Sequence, residues 1–449
     1  MKCLMRQHTL FSLLTTALLL AGAAKSVLAQ DGTYIVEPWS GRYSAVKIQP
    51  GDQKIVAAGR VQSTGGVAIA RYDSIGNPDT GYGSGGLSTP LGGIARSFAG
   101  LTLQADGKAV VPATNRSGYF GAARFNTNGS LDSSFGNGGW SGVSVSPNMQ
   151  VPYDVGLQSN GKIVVGGYTS NGGTVSGELA VLARFTTRGA LNSGKGGFGQ
   201  VIQTGRATGY TVMSFGAQLA EFKSLAVQPD DKVVAVGIFS PTGSFDGQLI
   251  VARYTADGIL DTSFNSSGYS LLNLPGISYT SRWFEANGVA LQSDGKIVVV
   301  STSAGVDGSS DMLVVRYSTS GTLDTSFGGG TGYVRLDIDG IATSTYETGS
   351  GVAIQPDGRI VVVGTESLNV SGVSRNVLVA RFNSNGTLDA TFGAGGFKLG
   401  MPPSSPGYHS FVGAAVALMS DGHIIVAGSD DWDSTGTSAP HPLLMRFNP

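Results

Sequence analysis

Ala353-Ile354-Gln355-Pro356-Asp357-Gly358-Arg359-Ile360-Val361-Val362-Val363-Gly364, followed by Leu378-Val379-Ala380-Arg381-Phe382, reads as a strand, a tight turn, an apolar strand, and a third strand ending in Arg and an aromatic residue. The phrase recurs along the chain. Its first anchor falls at Gln49, Gln104, Gln158, Gln228, Gln292 and Gln355, with Met419 in the seventh copy, at intervals of 55, 54, 70, 64, 63 and 64 residues. Its second falls at Arg71, Arg124, Arg184, Arg253, Arg316, Arg381 and Arg446, each followed by Tyr or Phe. A recurring unit with an internal hairpin marks a solenoid or a propeller, because each unit must bury its apolar faces against its neighbours.

Segments such as Lys296-Ile297-Val298-Val299-Val300 are almost continuously apolar, the pattern of a strand covered on both faces. Between the first and second strands stand Asp106-Gly107, Asn160-Gly161, Asp294-Gly295, Asp357-Gly358 and Asp421-Gly422. These dipeptides accept positive φ in tight hairpins, so the pairing there is antiparallel. After the arginine comes Asn128-Gly129-Ser130-Leu131-Asp132-Ser133-Ser134-Phe135-Gly136, echoed at 257–264, 320–328 and 385–393, leading into a fourth strand such as Gly332-Tyr333-Val334-Arg335-Leu336. Four antiparallel strands per copy and seven copies predict an all-β, seven-bladed β-propeller. The seventh copy stops after its third strand at Arg446-Phe447-Asn448-Pro449, while Gly32-Thr33-Tyr34-Ile35-Val36 carries the fourth-strand pattern. This N-terminal strand is therefore expected to complete the last blade and cover an open edge. An open solenoid is the rival architecture.

Residues 1–29 read as a secretory signal: Lys2 and Arg6 give a charged start, Leu10 to Leu20 an apolar run, and Val27-Leu28-Ala29 a small-residue cleavage site. Ser12, Thr15 and Thr16 interrupt the run, which falls short of the ~20 apolar residues of a spanning helix. The expectation is an exported protein, periplasmic or extracellular, whose residues 30–449 form one domain. Cys3 is the only cysteine, so the mature chain has no disulfide. Loss of Lys2, Arg6 and Lys25 takes the formal charge from -1 to -4, and only 13% of residues are charged. Such a chain lacks the basic field that holds phosphate backbones, which argues against nucleic acid as a partner.

The phrases at 355–364 and at 380–393, Ala-Arg-Phe-Asn-Ser-Asn-Gly-Thr-Leu-Asp-Ala-Thr-Phe-Gly, resemble delta-60 repeats, and the resemblance spans residues 44–449. It implies a propeller-like domain in exported or surface proteins, without an established activity and so with no catalytic residue to carry over. Two departures are expected to be locally irregular. Leu191-Asn192-Ser193-Gly194-Lys195 replaces the Leu-Asp-x-x-Phe pattern in copy three, and Asp230-Asp231 replaces Asp-Gly in copy four.

Residues repeated in every copy are poor candidates for one active site, because chemistry needs a single asymmetric constellation. The arginine series is read as structural, paired with Asp132, Asp261, Asp324 and Asp389; a ring of arginines for an anionic ligand is the alternative. The glutamines are read as satisfying strand-edge backbone groups. Loop length varies on the face opposite the Asp-Gly turns, where recognition on a rigid ring is expected. Near the start of each first strand stand Tyr43, Phe98, Tyr153, Phe222, Trp283 with Phe284, Tyr346 and Phe411, with Tyr408 and His409 close by. These aromatics either stack on a sugar or protein partner or wedge between neighbouring blades. Asp430, Asp431 and Asp433 are weak candidates for a metal, calcium being the cofactor their oxygens suit, but the full calcium loop is absent. His409 with Asp154 or Glu285 is the one acid and base pairing to test. Three readings stay open: a non-enzymatic monomeric module that binds a protein or glycan, a calcium-assisted hydrolase or lactonase at the channel mouth, and a purely structural surface protein.

Overall fold

The computed structural model describes residues 32–449 apart from 91–99, 115–116, 171–176, 202–204, 214–218, 242–246, 273–285, 305–309, 339–344, 369–374, 402–409 and 432–438. Apart from a 3-10 turn at Gly328–Gly330, every regular element among the described residues is a strand. In copy three, Gln150–Leu157, Ile163–Ser170, Glu178–Phe185 and Tyr210–Met213 pair antiparallel in chain order. The other copies repeat this meander. The second strand is buried along its whole length in copies three and four, as its run of Val and Ile dictates.

The described strands form five hydrogen-bonded sheets, rather than seven separate ones, and two of the five have eight strands. The difference has a local cause. Single parallel bridges, Glu178 with Leu219 and Ser310 with Tyr346, join copies three and four and copies five and six where one third strand passes the start of the next first strand. Each eight-stranded sheet is therefore two four-stranded meanders touching at one residue pair.

Among the described residues, buried apolar side chains gather in seven clusters, each shared by two copies. Between copies six and seven, for example, Val361, Val363, Val377 and Val379 meet Ile424, Val426, Leu443 and Met445. Another cluster joins Tyr43, Val46 and Ile55 of copy one to Ile425, Ala427 and Leu444 of copy seven, with Ile35 between them. Thr33–Val36 pairs antiparallel with His441–Phe447, Thr33 opposite Arg446 and Val36 opposite Leu443.

The third-strand arginines of copies one to five tie each copy to the next. Arg71, Arg124, Arg253 and Arg381 donate from Nε to Asp79, Asp132, Asp261 and Asp389 at 2.8 Å, and Arg316 Nε lies 2.8 Å from Asp324. In copy three, Asn192 takes the same place, accepting from Arg184 Nε at 2.8 Å. A terminal nitrogen then reaches into the following copy, donating to Thr127 O (2.7 Å), Thr187 O (2.6 Å), Ala256 O (2.5 Å) and Thr319 O (2.6 Å). Arg316 bonds Ser384 O in the same way. Each guanidinium also lies 4.5 to 4.9 Å from the ring centroid of Tyr82, Phe135, Phe198, Phe264, Phe327 or Phe392. The glutamine anchors join the latch: Gln158 Oε1 accepts from Arg184 at 3.0 Å, and Gln104 Oε1 from Arg124 at 3.4 Å.

Lys54, Lys108, Lys232, Lys296 and Arg359 place a second cation on these aspartates, at 3.0, 2.9, 3.4, 3.2 and 3.1 Å. Burial raises the carboxyl pKa of Asp261, but the Ser263 hydroxyl, Arg253 and the Ser263 N–H outweigh it and hold the group at about 2. Asp324 is likewise held at about 2, with burial opposed by the Ser326 hydroxyl and N–H, Lys296 and Arg316. A carboxyl depressed in the folded state gives stability that is complete above its ordinary pKa and is lost as the pH falls through the folded value. The melting temperature is therefore expected to fall between about pH 4 and pH 2 as these latches protonate. Asp261→Ala, which leaves Arg253 buried without its carboxylate, should lower stability at neutral pH by about 3–5 kcal/mol and shrink that acid loss in a pH series of urea melts.

Candidate functional site

The first strands of all seven copies converge on a cavity of about 490 Å³, reached by Lys47, Thr102, Asp154, Ser224, Asn287, Ser350 and Ala415 among others. Because the strands crowd together there, large side chains have little room. A Cβ on Gly156 would come within 2.7 Å of Leu225 and Val227, and one on Gly100 within 2.3 Å of Asp154 Oδ1. Four residues before the first anchor stand Ala45, Gly100, Ser224, Gly288, Gly351 and Ala415, with Asp154 as the exception; two residues before it stand Thr102, Gly156, Ala226, Ala290, Ala353 and Ala417, with Lys47 as the exception. A second cavity, about 770 Å³, opens on the side of the Asp-Gly turns and is bounded by copies three to six.

Asp154 braces two copies. Its Oδ2 accepts from Leu225 N at 2.8 Å and from Ser224 Oγ at 2.9 Å, and its Oδ1 from Val155 N at 2.7 Å. Burial nevertheless raises its pKa, opposed by these three donors and by the charge of Lys47. Asn287 makes a parallel brace, its Nδ2 donating to Gly349 O at 2.8 Å.

At the loop end of the first strands, Lys223 Nζ lies 2.5 Å from Glu221 and donates to Tyr153 OH at 2.8 Å. The Tyr153 and Tyr168 rings stand 5.7 Å apart, and burial foremost raises the Tyr168 pKa. The same end carries Glu366, which accepts from Asn376 Nδ2 at 2.6 Å, and the ion pair of Arg335 with Asp311.

The loop-face aromatics divide. Tyr43, Phe222 and Phe411 are buried between copies and present no face to a ligand: Tyr43 OH meets Tyr72 OH at 2.7 Å, Phe222 packs on Tyr254 at 6.0 Å, and Phe411 on Tyr34 at 5.1 Å. Tyr153 joins the lysine cluster, and Tyr346 is 38% exposed, the one ring of the series turned to solvent among the described residues. Phe98, Trp283, Phe284, Tyr408, His409, Asp433 and Glu285 lie outside the described residues.

Asp430 is buried and accepts from Ser410 N at 3.2 Å, whereas Asp431 sits 3.9 Å from Arg42 and 3.8 Å from Arg375. Both are thus engaged by protein donors. Among the described residues no three His, Cys, Asp or Glu side chains are grouped to hold a metal ion. His423 contacts Asp421 at 2.9 Å on the turn side. Lys47 and Lys223 escaped the sequence reading, although aligning the seven first strands on their anchors shows Lys47 as a long cation in a column of small residues.

Five stretches, residues 104–135, 158–194, 228–264, 292–327 and 355–392, match a family described as "Domain of unknown function (DUF5122) beta-propeller". This is a β-propeller repeat protein. Among solved structures the propeller is similar to a protein of unknown function from Dyadobacter fermentans, with 11% identity over 94% of this chain and 99% of that one and a TM-score of 0.46. It is also similar to the β-propeller domain of the trilobed protease from Pyrococcus furiosus, with 10% identity over 90% and 93% of the two chains and a TM-score of 0.43. A gluconolactonase from Xanthomonas campestris shares 11% identity over 95% and 93%, with a TM-score of 0.39. No curated protein matches the chain. No helix among the described residues is long and apolar enough to cross a membrane.

Removing the Asp154 carboxylate strands the buried Leu225 N–H, so Asp154→Ala should cost about 1–3 kcal/mol in a denaturant melt. Lys47→Ala, which removes no hydrogen bond or ion pair, should stay within about 0.5 kcal/mol.

Proposed function

We propose that the chain is an exported, non-enzymatic propeller of the delta-60 repeat type, with seven four-stranded blades, that recognises a protein or glycan through its loop face. The observation that carries the recognition reading is the contrast between the two ends of the repeats. At the Asp-Gly end, the Arg–Asp–aromatic latch recurs with the same atoms from copy to copy. At the loop end, the polar groups differ among the described copies: Tyr153 with Lys223 and Glu221, exposed Tyr346, and Arg335 with Asp311. A uniform end is what folding requires, whereas a varied end on a rigid ring suits recognition.

In this reading Thr33–Val36 closes the ring by completing the last blade. A chain lacking residues 30–37 leaves the His441–Phe447 edge unpaired and should aggregate or melt without cooperativity. An unchanged monomeric melt would refute the clasp.

The recognition reading is tested by thermal shift of the protein against a polysaccharide panel, calcium and EDTA, since a ligand that binds only the folded state raises the melting temperature. A glycan shift that is lost in Tyr346→Ala or Lys223→Ala supports it. A shift with calcium, reversed by EDTA, favours a calcium-assisted hydrolase or lactonase instead. Silence with every ligand, and no protein whose retention on the immobilised propeller depends on those two residues, leaves a structural role.

A further inference from the structure

Lys47 and Asp154 are the two departures from the small-residue columns of the central cavity, and they carry opposite charge. Asp154 has a structural duty, bracing copy three to copy four. It accepts three hydrogen bonds, while a carboxylate offers about four acceptor positions, so one position remains. Lys47 has no such duty. It is exposed to the cavity, and no hydrogen bond or ion pair engages it among the described residues. Its charge still reaches Asp154, where it favours the ionised carboxylate. Elsewhere in the fold, lysines beside the first turn, such as Lys54 and Lys108, are committed to latch aspartates. A long cation with no hydrogen bond or ion pair, in a column otherwise made of Ala, Gly and Thr, is free to meet a ligand.

We propose that the cavity binds a small zwitterion, an ammonium-carboxylate of the amino-acid or betaine class, with its carboxylate on Lys47 and its cationic end at Asp154. The cavity's two charges sum to zero, so a ligand that is itself neutral overall and carries both signs satisfies each of them without adding net charge. The volume, about 490 Å³, falls within the roughly 300–1,000 Å³ of small-molecule sites. The site is distinct from the loop face and stands or falls independently of the reading above.

The test is isothermal titration of the full protein with glycine, β-alanine, γ-aminobutyrate, ε-aminocaproate and glycine betaine, a series that varies the separation of the two charges. Acetate and ethylamine serve as single-charge controls. One member is expected to saturate at one site and to bind at least about tenfold more tightly than either control. Lys47→Ala should weaken it by about tenfold or more without moving the melting temperature. Asp154→Asn, checked by melting because it touches the brace, should weaken the zwitterion and leave acetate unchanged. The proposal is overturned if no zwitterion binds, if Lys47→Ala binds as the parent does, or if acetate binds as tightly as the best zwitterion.

Discussion

In copies one to five one guanidinium is held in three directions at once, and this is the contact on which the rest of the molecule depends. Arg253 shows it fully: Nε to Asp261 in its own copy, a terminal nitrogen to Thr319 O in the next, and its flat face over Phe264. No other side chain offers a planar fork of donors and a stackable face together, so lysine in its place would forfeit either the fork or the ring. The aromatic ring is clasped in turn. Gly321 of the next copy has φ +87°, and a Cβ there would come within 2.8 Å of the Phe264 ring. The Gly, the Leu-Asp turn and the Phe of the repeat phrase are thus successive parts of one device that sets the pose of each sheet on its neighbour. Weighed against apolar replacements, buried ion pairs add little net stability; here their directionality fixes how two otherwise slippery apolar faces meet.

The meeting of copies seven and one does not show that device among the described residues. Arg446 lies there 3.6 Å from Asp421. Its place is taken by a buried polar chain, Tyr43 OH to Tyr72 OH at 2.7 Å and Tyr72 OH onward to Glu37, together with Ser420 N donating to Gln53 Oε1 at 2.8 Å. Burial raises the Glu37 pKa, with the Tyr72 hydroxyl opposing it. A carboxyl raised on folding loses stability for the protein as pH climbs past its ordinary range, the reverse of the latch aspartates. The two kinds of junction therefore respond to pH in opposite senses, and the seam weakens as the pH rises above the ordinary carboxylate range.

The strands, the hairpin turns and the Arg–Asp pairing were legible in the sequence because each is enforced afresh in every copy, so the anchors repeat where the loops do not. The orientation of the loop-face aromatics was not. Tyr43 and Phe222 stand six residues before their glutamines, while Tyr153 stands five before its own. Register shifts fall between Tyr43 and Ala45, Pro152 and Asp154, and Phe222 and Ser224. A bulge at that point makes a single residue of offset decide between two faces, sending Tyr43 and Phe222 into the interface and Tyr153 toward Lys223. Spacing counted from an anchor across an unrecognised bulge cannot tell these apart. The joining of copies into eight-stranded sheets was hidden for a similar reason: one backbone bridge leaves no mark on composition.

A repeat supplies its own controls, because six equivalent positions show what folding asks of the seventh. By that standard most departures explain themselves. Asn192, in place of an aspartate, still accepts from Arg184 Nε. Asp231, in place of a turn glycine, adopts φ 65°, and its carboxylate accepts from Ser159 N at 2.6 Å and Ser159 Oγ at 2.7 Å, bonds that offset the backbone cost. Asp154 replaces a small residue and accepts three hydrogen bonds that link two copies. Lys47 alone among these substitutions gains no hydrogen bond or ion pair among the described residues, although its charge favours the ionised form of Asp154. Where the fold gives no return for a charge, the reason for that charge lies in something the fold receives.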